Sequence, residues 1–158
     1  MPVSEEVIKL VMRRWPSGVA VVTSIFNNTF HGLTANSFTS VSITPPIVSV
    51  TINLHTRTHQ MITDAGIFGI TILSETQTNL SDRFGGRTRE ENRFSGVNIF
   101  TLTTGSPFIF GGVAFLDCRV IYNYGMPNST LFLGEVVSAQ INDGIDPLIY
   151  FNREYHHL

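Results

Sequence analysis

Short runs of β-branched and aromatic residues, separated by turn residues, recur along the chain, whereas few stretches have helical periodicity. We expect about seven strands, at residues 19–26, 29–34, 47–53, 67–73, 113–122, 131–141 and 148–151. Because the strand runs do not alternate regularly with helices, the pattern argues against a doubly wound parallel sheet. The pattern predicts a mainly β fold, an antiparallel barrel or sandwich with a few short helices.

The run at residues 47–53 predicts a strand that separates two environments. Val48, Val50 and Ile52 alternate with three polar residues, so one face of this strand is apolar and the other is polar. We expect the apolar face to join the core and the polar face to meet solvent or a ligand.

Three short helices are expected between the strands. Ser4 can cap the first, and the second covers Thr58–Ala65 and is followed by a glycine. The third reaches about Phe84 and would be capped by Ser74 or Thr76.

Turn residues predict the connections. Asn27 and Asn28 separate two strand runs and predict a hairpin. Residues 85–96 and 105–112 are rich in Gly and predict open loops.

The low content of charged residues suggests that part of the surface is hidden in an assembly. Asp, Glu, Lys and Arg make up 14% of the 158 residues, against about 25% in an average soluble domain, and there are 12 Phe. Interface cores lose charge and gain aromatic residues, so we expect a homodimer. A net charge of −2 argues against a nucleic-acid partner, which would require a basic face.

Neither cysteine chemistry nor a membrane segment is indicated. Cys118, the single cysteine, lies in an expected buried strand, and excludes an intramolecular disulfide and a CxxC site. No signal-peptide pattern and no run of about 18 apolar residues is present, so we expect a cytoplasmic protein without a membrane partner. With no repeat or linker, residues 1–158 are expected to form a single domain.

A polar segment at residues 31–42 lies between strand runs. Its hydroxyl, amide and backbone N–H groups could hold a flat heteroaromatic ring with carbonyl groups and ring nitrogens. The alternative is a Ser/Thr-rich loop that hydrogen-bonds to itself. Composition leaves both interpretations open.

Two segments have the residues of a phosphate site. Thr58 opens an expected helix beside Arg57, and Arg83 precedes Phe84 later in the chain. Arg57 and Arg83 are better phosphate candidates than the arginines at 87, 89 and 93. The alternative for the group of four, Arg83 included, is a solvated loop balanced by Glu90 and Glu91.

Other common chemistries lack their motifs. His31, His55 and His59 have no metal-ligand spacing, so we expect no metal site and interpret these residues as incidental. Neither a GxSxG elbow nor a GxGxxG or P-loop motif occurs, so a usual hydrolase triad and a Rossmann dinucleotide site are not indicated.

The ordered set of motifs resembles the short-chain flavin reductases, the split-barrel reductase partners of two-component flavin monooxygenases. The matching pieces run almost end to end, and their order carries the resemblance. They are residues 15–19 with 21–23, 31–42, 45–46, 57–59, 83–84, 93–94, 105–107, 118–120, 131–136 and 147–151 with Tyr155.

This resemblance implies a split six-stranded antiparallel Greek-key β-barrel with a few short helices. It also implies a homodimer that binds FMN or FAD near the subunit interface and reduces the flavin with NADH or NADPH. The partner would be a flavin-dependent monooxygenase.

The resemblance also implies roles for individual residues. The isoalloxazine edge and ribityl chain would meet Thr34, Ala35, Asn36 and Ser37, and the contact would continue along Ser40, Val41 and Ser42. The phosphate side would be formed by Asn53, Arg57 and Thr58, with Arg83 and Phe84 from the later motif.

One position departs from the family pattern. Many members have Gly-Asp-His before the strand that begins here at Thr130, with the His beside the nicotinamide. This chain has Asn128 and Ser129 at the last two of those positions, which puts the electron donor in question.

Three functions remain in competition. The leading hypothesis is an NAD(P)H:flavin oxidoreductase that supplies reduced FMN or FAD to a separate oxygenase. The alternative is a tight FMN-binding electron carrier without efficient NAD(P)H turnover. A non-catalytic ligand-binding barrel of lipocalin type would share the architecture but leaves the ordered motifs unexplained.

Overall fold

The computed structural model describes residues 2–89 and 91–158. Three helices and twelve strands lie within these residues. The helices are α1 (Glu5–Met12), α2 (Arg57–Ala65) and α3 (Thr78–Phe84). The strands are β1 (Ser17–Gly18), β2 (Ala20–Phe26), β3 (Thr29–Ala35), β4 (Thr39–Ser42), β5 (Ile47–Asn53), β6 (Ile67–Ile72), β7 (Ile99–Thr101), β8 (Pro107–Ile109), β9 (Ala114–Gly125), β10 (Ser129–Ile141), β11 (Ile149–Phe151) and β12 (Glu154–His156).

Seven strands form one antiparallel sheet in the order β3-β2-β6-β9-β10-β5-β4. Its two edge strands, β3 and β4, are joined by residues 36–38 alone. Three connecting residues span at most about 14 Å between the strand ends, whereas a flat seven-stranded sheet is about 29 Å wide. The sheet must therefore curl until its edges approach each other, and residues 36–38 lie at the resulting seam.

Strand β2 packs against both hydrophobic clusters. Ala20 and Val22 point into the first cluster with residues of β5 and β6, and Val19 and Val21 belong to the second. Alternate residues of a strand face opposite sides, so one strand can serve two packing layers. The second cluster includes Phe84, and it holds the end of α3 against the outside of the sheet beside β3.

Local signals placed most of the regular elements. Ser4 caps α1 through its side chain, and α2 ends at Gly66, which adopts φ 69. Asn27 and Asn28, at φ 50 and 58, form the expected β2–β3 hairpin turn. The mainly β, antiparallel fold is confirmed, while the expected count of six barrel strands is not, since the main sheet has seven.

Two local expectations need correction. Helix α3 begins at Thr78 after Gln77 and has neither Ser74 nor Thr76 as its cap; the Gln77 side chain instead accepts from Ser74 N and donates to Phe110 O. Strand β8 lies inside the expected loop at 105–112, where it pairs with β7. A three-residue strand is too short to show a clear alternation in sequence.

The expected burial of Cys118 is confirmed, whereas the apolar residues of α1 are exposed. Cys118 is fully buried, and this burial raises the pKa of its thiol to about 12. No helix of the described residues is long and apolar enough to cross a membrane. In contrast, α1 has no buried residue, and its apolar side chains Val7, Ile8 and Val11 are exposed.

Candidate functional site

A groove composed of two adjoining cavities lies at the seam of the sheet. The strand cavity, of about 390 Å³, borders the ends of β3 and β5, and the hairpin cavity, of about 200 Å³, borders α3 and the β11–β12 hairpin. Thr34, Ala35, Asn36 and Gly85 line both cavities. Together they have the size of a small-molecule site, typically about 300–1,000 Å³.

The seam explains the polarity of the groove. Ala35 is the last residue of β3, so the chain leaves the hydrogen-bonded ladder at residues 36–38 and presents polar groups that the sheet does not use. Ser37 fixes this segment to β5, because its Oγ donates to Thr51 O at 2.8 Å. Thr34 Oγ1 donates to Ser81 O at 2.6 Å and fixes β3 to α3.

Arg93 supplies the positive charge of the strand cavity. Its Nη1 donates to Gly32 O at 2.9 Å and to Phe84 O at 2.8 Å, and the residue lines the cavity. Burial lowers the pKa of this guanidinium from its ordinary value, but a guanidinium stays charged in proteins. Because it has five N–H donors, Arg93 can also bind an anion in the cavity.

His31 lies behind Arg93 as a neutral side chain. Its Nδ1 is 2.9 Å from Thr58 Oγ1, a fully buried hydroxyl on α2. Burial first, and then the charges of Arg93 and Arg57, lower the pKa of His31 from 6.5 to about 4. The three basic residues therefore carry two positive charges near this end of the groove at neutral pH.

The hairpin cavity is bordered by a network of side chains. The Tyr155 hydroxyl donates to Asp82 Oδ1 at 2.7 Å and is hydrogen-bonded to Ser81 Oγ at 2.8 Å. Arg87 donates to Asp82 Oδ1 at 3.0 Å and to the Tyr150 hydroxyl at 3.3 Å. Burial, followed by the hydrogen bond to Asp82, raises the pKa of Tyr155, so its hydroxyl stays protonated at neutral pH.

The structure brings half of the expected site residues to the groove. These are Thr34, Ala35, Asn36, Ser37, Asn53 and Phe84, all of which line the strand cavity. Ser129 begins β10 opposite Asn53 in the ladder, so it lies beside a lining residue. Their contacts with a flavin stay predictions.

The remaining expected residues lie away from the cavity linings. Ser40, Val41 and Ser42 are on the edge strand β4, and Arg57 is exposed at the start of α2. The hydroxyl of Thr58 is occupied by His31. These roles also stay predictions.

Arg83 points to a different surface. Its Nη1 donates to Ser95 O at 2.8 Å, and it lines a separate cavity with Asn79 and Val97. Its expected contact with a flavin phosphate stays a prediction, and Arg93 is the arginine that the fold brings to the groove.

Sequence reasoning missed or undervalued several groove residues. Local sequence patterns favoured Arg57 and Arg83 over Arg93. The phenylalanine next to Arg93 was a signal that this loop is anchored, because in the structure Phe94 packs edge-on against Phe84 with 4.9 Å between the ring centroids. Arg87, Tyr150 and Tyr155 also border the groove, with Ser81 and Thr56. The hydrogen bonds of Tyr150 to Arg87 and of Tyr155 to Asp82 join residues more than 60 positions apart, which no local pattern reveals.

Two further expectations concern charge and metal ions. Of the acidic residues expected to balance the loop arginines, Glu91 is exposed, and Glu90 lies outside the described residues. The described part of the chain contains no cluster of three or more His, Cys, Asp or Glu side chains suited to a metal ion.

The chemistry of the groove fits a flavin. Hydroxyl and amide groups of Thr34, Asn36 and Asn53 can bond the edges of a flat heteroaromatic ring or a ribityl chain. The guanidinium of Arg93 can bind a phosphate in the same cavity. The groove can therefore bind and orient a ligand by hydrogen bonds and by the charge of Arg93.

Known proteins resemble this chain over nearly its full length. It is 31% identical to the FMN reductase (NADH) RutF of Stutzerimonas stutzeri (strain A1501), over 99% of this chain and 90% of that protein. It is 32% identical to the reductase component of the FADH(2)-dependent resorcinol hydroxylase of Rhizobium sp. (strain MTP-10005), over 93% and 83%.

Its fold is also similar to solved flavin reductases. The flavin reductase PheA2 in its native state superposes with a TM-score of 0.91 at 32% identity, and the match covers 99% of each chain. The family described as flavin reductase like domain matches residues 12–158. The resemblance inferred from the ordered motifs is thereby confirmed, and the chain belongs to the flavin reductase like family.

Proposed function

We propose that this protein is an NADH-dependent flavin reductase that reduces FMN or FAD and supplies the reduced flavin to a separate monooxygenase. The observation that carries the proposal is the polar groove at the sheet seam, lined by Thr34, Ala35 and Asn36 and charged by Arg93. Residues 1–158 act as one domain in this proposal. Strand β2 supports that view, since it packs into both hydrophobic clusters.

The residues of the strand cavity would hold the flavin. Arg93 is fixed by two backbone carbonyl oxygens, so its remaining N–H donors are already oriented for the phosphate. Ser37 and Asn53 extend the polar wall along β5, and Arg57 adds a more distant charge at the start of α2. Phe84 closes the apolar side of the cavity and excludes water.

The chain's contribution to the reaction is position and electrostatics. A bound flavin supplies the redox chemistry by accepting a hydride from the nicotinamide. The Asn36 amide and the backbone N–H groups of residues 36–38, where the chain leaves the sheet, would stabilise negative charge at the ring edge, because the hydroxyl hydrogens of Thr34 and Ser37 are already donated to Ser81 O and Thr51 O. No side chain needs to donate or accept a proton for the hydride transfer itself.

The names of the relatives support the choice of electron donor and flavin. One relative is named as an NADH-dependent FMN reductase and another as the reductase component of a resorcinol hydroxylase. We assign NADH as the first donor to test, with NADPH as the second, and FMN and FAD as the flavins. A cytoplasmic location fits an enzyme that draws on the cellular NADH pool.

A homodimer would cover the apolar side of α1. Val7, Ile8 and Val11 are exposed there, and Trp15 just beyond the helix is 71% exposed. Large exposed apolar patches mark interaction surfaces, and a second copy is the simplest partner for a chain with so few charges. Light scattering should give twice the chain mass at micromolar concentration, and a monomer with flavin bound would contradict the dimer.

Oxidation of NADH and NADPH with added FMN or FAD tests the function. We expect turnover with at least one nucleotide, dependent on added or bound flavin. The competing function, a tight FMN-binding electron carrier, predicts a yellow protein that consumes neither nucleotide. That result would contradict the reductase.

A further inference from the structure

Helix α2 joins two strands that lie on opposite sides of the sheet seam. The Thr58 hydroxyl on this helix is 2.9 Å from His31 Nδ1 on β3, which is an edge strand of the sheet. The next residue of the helix, His59, reaches a different strand, because its Nε2 is 2.8 Å from Thr130 Oγ1 on β10. Strand β10 lies third from the opposite edge. Two consecutive residues of α2 therefore fix both sides of the seam to one helix.

The His59 ring is held by its surroundings. It packs beside Phe132 with 5.4 Å between the ring centroids, and the backbone N of His59 donates to Oγ1 of the helix cap Thr56 at 3.2 Å. Burial lowers the pKa of the imidazole, so the ring is neutral at neutral pH. A neutral imidazole has one donor and one acceptor nitrogen, so it can pair with a hydroxyl in either tautomer. The hydroxyl of Thr130, a residue only 7% exposed, therefore has a fixed partner.

Thr130 lies where the ladder between β10 and β5 begins. It pairs with Ile52, and Ser129, the first residue of β10, pairs with Asn53. The chain enters this ladder directly from the connection at residues 126–128. Strand ends next to such connections open more readily than central strands. The bond from His59 to this strand end, residues 129–130, therefore acts where the ladder is easiest to open, and the strand end is named the β10 rim.

The two side chains of the β10 rim face opposite sides of the sheet. Thr130 is buried with Phe132, whereas Ser129 is partly exposed, as alternate residues of a strand require. Directly paired residues lie on one face with their Cβ atoms about 4.5–5.5 Å apart, so Ser129 stands next to Asn53, which lines the strand cavity. His59 therefore acts on Ser129 from the core side, through Thr130.

The β10 rim is suited to a second molecule rather than to the flavin. Arg93 and Ser37 line the strand cavity and are fixed by their own hydrogen bonds to backbone carbonyl oxygens. A flavin in this cavity would be held by such groups without help from the β10 rim. A donor that stacks on the flavin extends beyond the cavity, and Ser129, next to the lining residue Asn53, lies where such a molecule would be aligned.

We propose that His59 is a positioning residue for the electron donor. Through its hydrogen bond to Thr130 it holds the β10 rim in register with β5, and Ser129 then forms a fixed edge that aligns the donor with the flavin. The donor's part in this assignment rests on the proposed function, whereas the holding of β10 can be measured without donor or flavin. His59 itself carries out no chemical step.

Two variants remove the hydrogen bond from either end. His59→Phe keeps an aromatic ring beside Phe132, and Thr130→Val keeps the shape of the threonine, so packing changes little. With saturating FMN, we expect each variant to lower kcat/KM for NADH about 10-fold and to leave the Kd for FMN nearly unchanged. The double variant should lose no more than either single variant, because both act through one bond. Additive losses would overturn the proposal.

Two further variants separate positioning from a structural role. His59→Gln can place an amide near the position of Nε2 and should recover most of the lost kcat/KM. His55→Phe makes the same exchange at an exposed residue before α2 and should change neither kcat/KM nor the Kd for FMN. A purely structural role for His59 predicts that Tm, FMN affinity and kcat/KM fall together in His59→Phe, and that result would overturn the proposal.

Hydrogen–deuterium exchange on the full chain tests the holding of β10 without any ligand. Met126 N donates to Ser129 O at 2.8 Å, so amides around the β10 rim report its opening. We expect residues 124–131 to exchange about 10-fold faster in His59→Phe and in Thr130→Val than in the parent, with β2 unchanged. Unchanged exchange at these residues, or unchanged kcat/KM for NADH in both variants, would overturn the proposal. A parent protein that oxidises neither nucleotide would contradict the reductase, and the exchange result would still decide whether His59 holds β10.

Discussion

The two sides of the groove are held by different kinds of hydrogen bond. On the strand side, Thr34, Ser37 and Arg93 all donate to backbone carbonyl oxygens. On the hairpin side, the contacts of Tyr155 and Arg87 join one side chain to another. A bond to the main chain fixes a donor relative to the sheet, whereas a bond between two side chains leaves both free to adjust.

The two sides of the groove therefore differ in how freely their side chains can rearrange. The strand side is preorganised, so it can hold a ligand with little loss of side-chain entropy. The hairpin side can rearrange as molecules enter and leave. A reductase of this kind needs both properties, because flavin must be oriented while the nicotinamide exchanges at every turnover.

Replacing the anchored arginine should have the largest effect. Arg93→Met removes the hydrogen bonds to Gly32 O and Phe84 O and the charge of the strand cavity. We expect the free energy of unfolding to fall by about 2–4 kcal/mol and FMN affinity to fall by about 100-fold. Chemical denaturation and flavin fluorescence titration measure the two quantities.

Arg57 provides the matched control for Arg93. It is exposed and outside the lining, so it can act on the phosphate only at a distance, and Arg57→Ala should lower FMN affinity less than Arg93→Met does, by about 10-fold at most, and leave riboflavin, which has no phosphate, unaffected. If Arg93→Met does not fold, the same measurements are made on Arg93→Lys, which keeps the positive charge. A larger loss of FMN affinity at Arg57 than at Arg93 would reverse the assignment of the phosphate.

The second prediction concerns pH and the strand side. The pKa of His31 is about 4 in the folded protein and near 6.5 when unfolded, so its stabilising contribution is fully present above pH 6.5. Between pH 6.5 and about 4 the unfolded chain binds the proton first, and stability falls. After allowance for the partial exposure of the ring, we expect a loss of about 1–2 kcal/mol.

His31→Gln should flatten this dependence. The amide can keep a hydrogen bond to Thr58 but has no charge to gain. Denaturation curves from pH 4.5 to 7.5 measure the difference. Parallel profiles for parent and variant would show that His31 is not the group responsible.

The hairpin side should respond more weakly. Tyr155→Phe removes the hydrogen bonds to Asp82 and Ser81 but keeps the ring, which packs beside Tyr150 at 5.7 Å between centroids. We expect a loss of about 1 kcal/mol, or about 2–4 °C in Tm, with FMN affinity nearly unchanged. If Tyr155→Phe lowered FMN affinity as much as Arg93→Met, the hairpin side would hold the flavin as firmly as the strand side, and the proposed difference between them would be wrong.

The smallest effect is expected at Ser129. Restoring an imidazole with Ser129→His should raise the rate of flavin reduction by NADH severalfold and leave FMN affinity nearly unchanged. Ser129 lies opposite Asn53 in the ladder, beside the groove wall, so a ring there can reach a nicotinamide. Stopped-flow reduction measures the rate; weaker FMN binding would place Ser129 in the flavin site instead.

The strand residues of the site were more accessible to sequence reasoning than its arginines. Thr34 to Ser37 follow a recognisable strand and belong to one continuous motif, so the chain itself keeps them together. Arg93 reaches Gly32 across 61 positions, and its anchoring depends on how the loop after α3 packs on the second hydrophobic cluster. Arg83 is the opposite case. It lies in a helix that the sequence predicted, but its position in the last turn of α3 directs its side chain toward Ser95 rather than into the groove.

The helices and strands also divide into those that the local sequence predicts and those that depend on tertiary contacts. The alternation at residues 47–53 predicted β5, and Ser4 and Gly66 marked the helix ends. Strand β8 and the start of α3 are set by tertiary partners, because Ile109 N bonds to Thr71 Oγ1 and Gln77 bonds to Phe110 O. Such partners override weak local preferences.

The burial of Cys118 has a consequence for the durability of the protein. Reduced flavin that escapes into solution reacts with dioxygen and produces hydrogen peroxide, which attacks thiolates. Burial raises the pKa of this single thiol to about 12, so it stays protonated at neutral pH, and the sheet covers its sulfur. The protein can therefore work next to the peroxide that its own product generates without losing its cysteine to sulfenic acid.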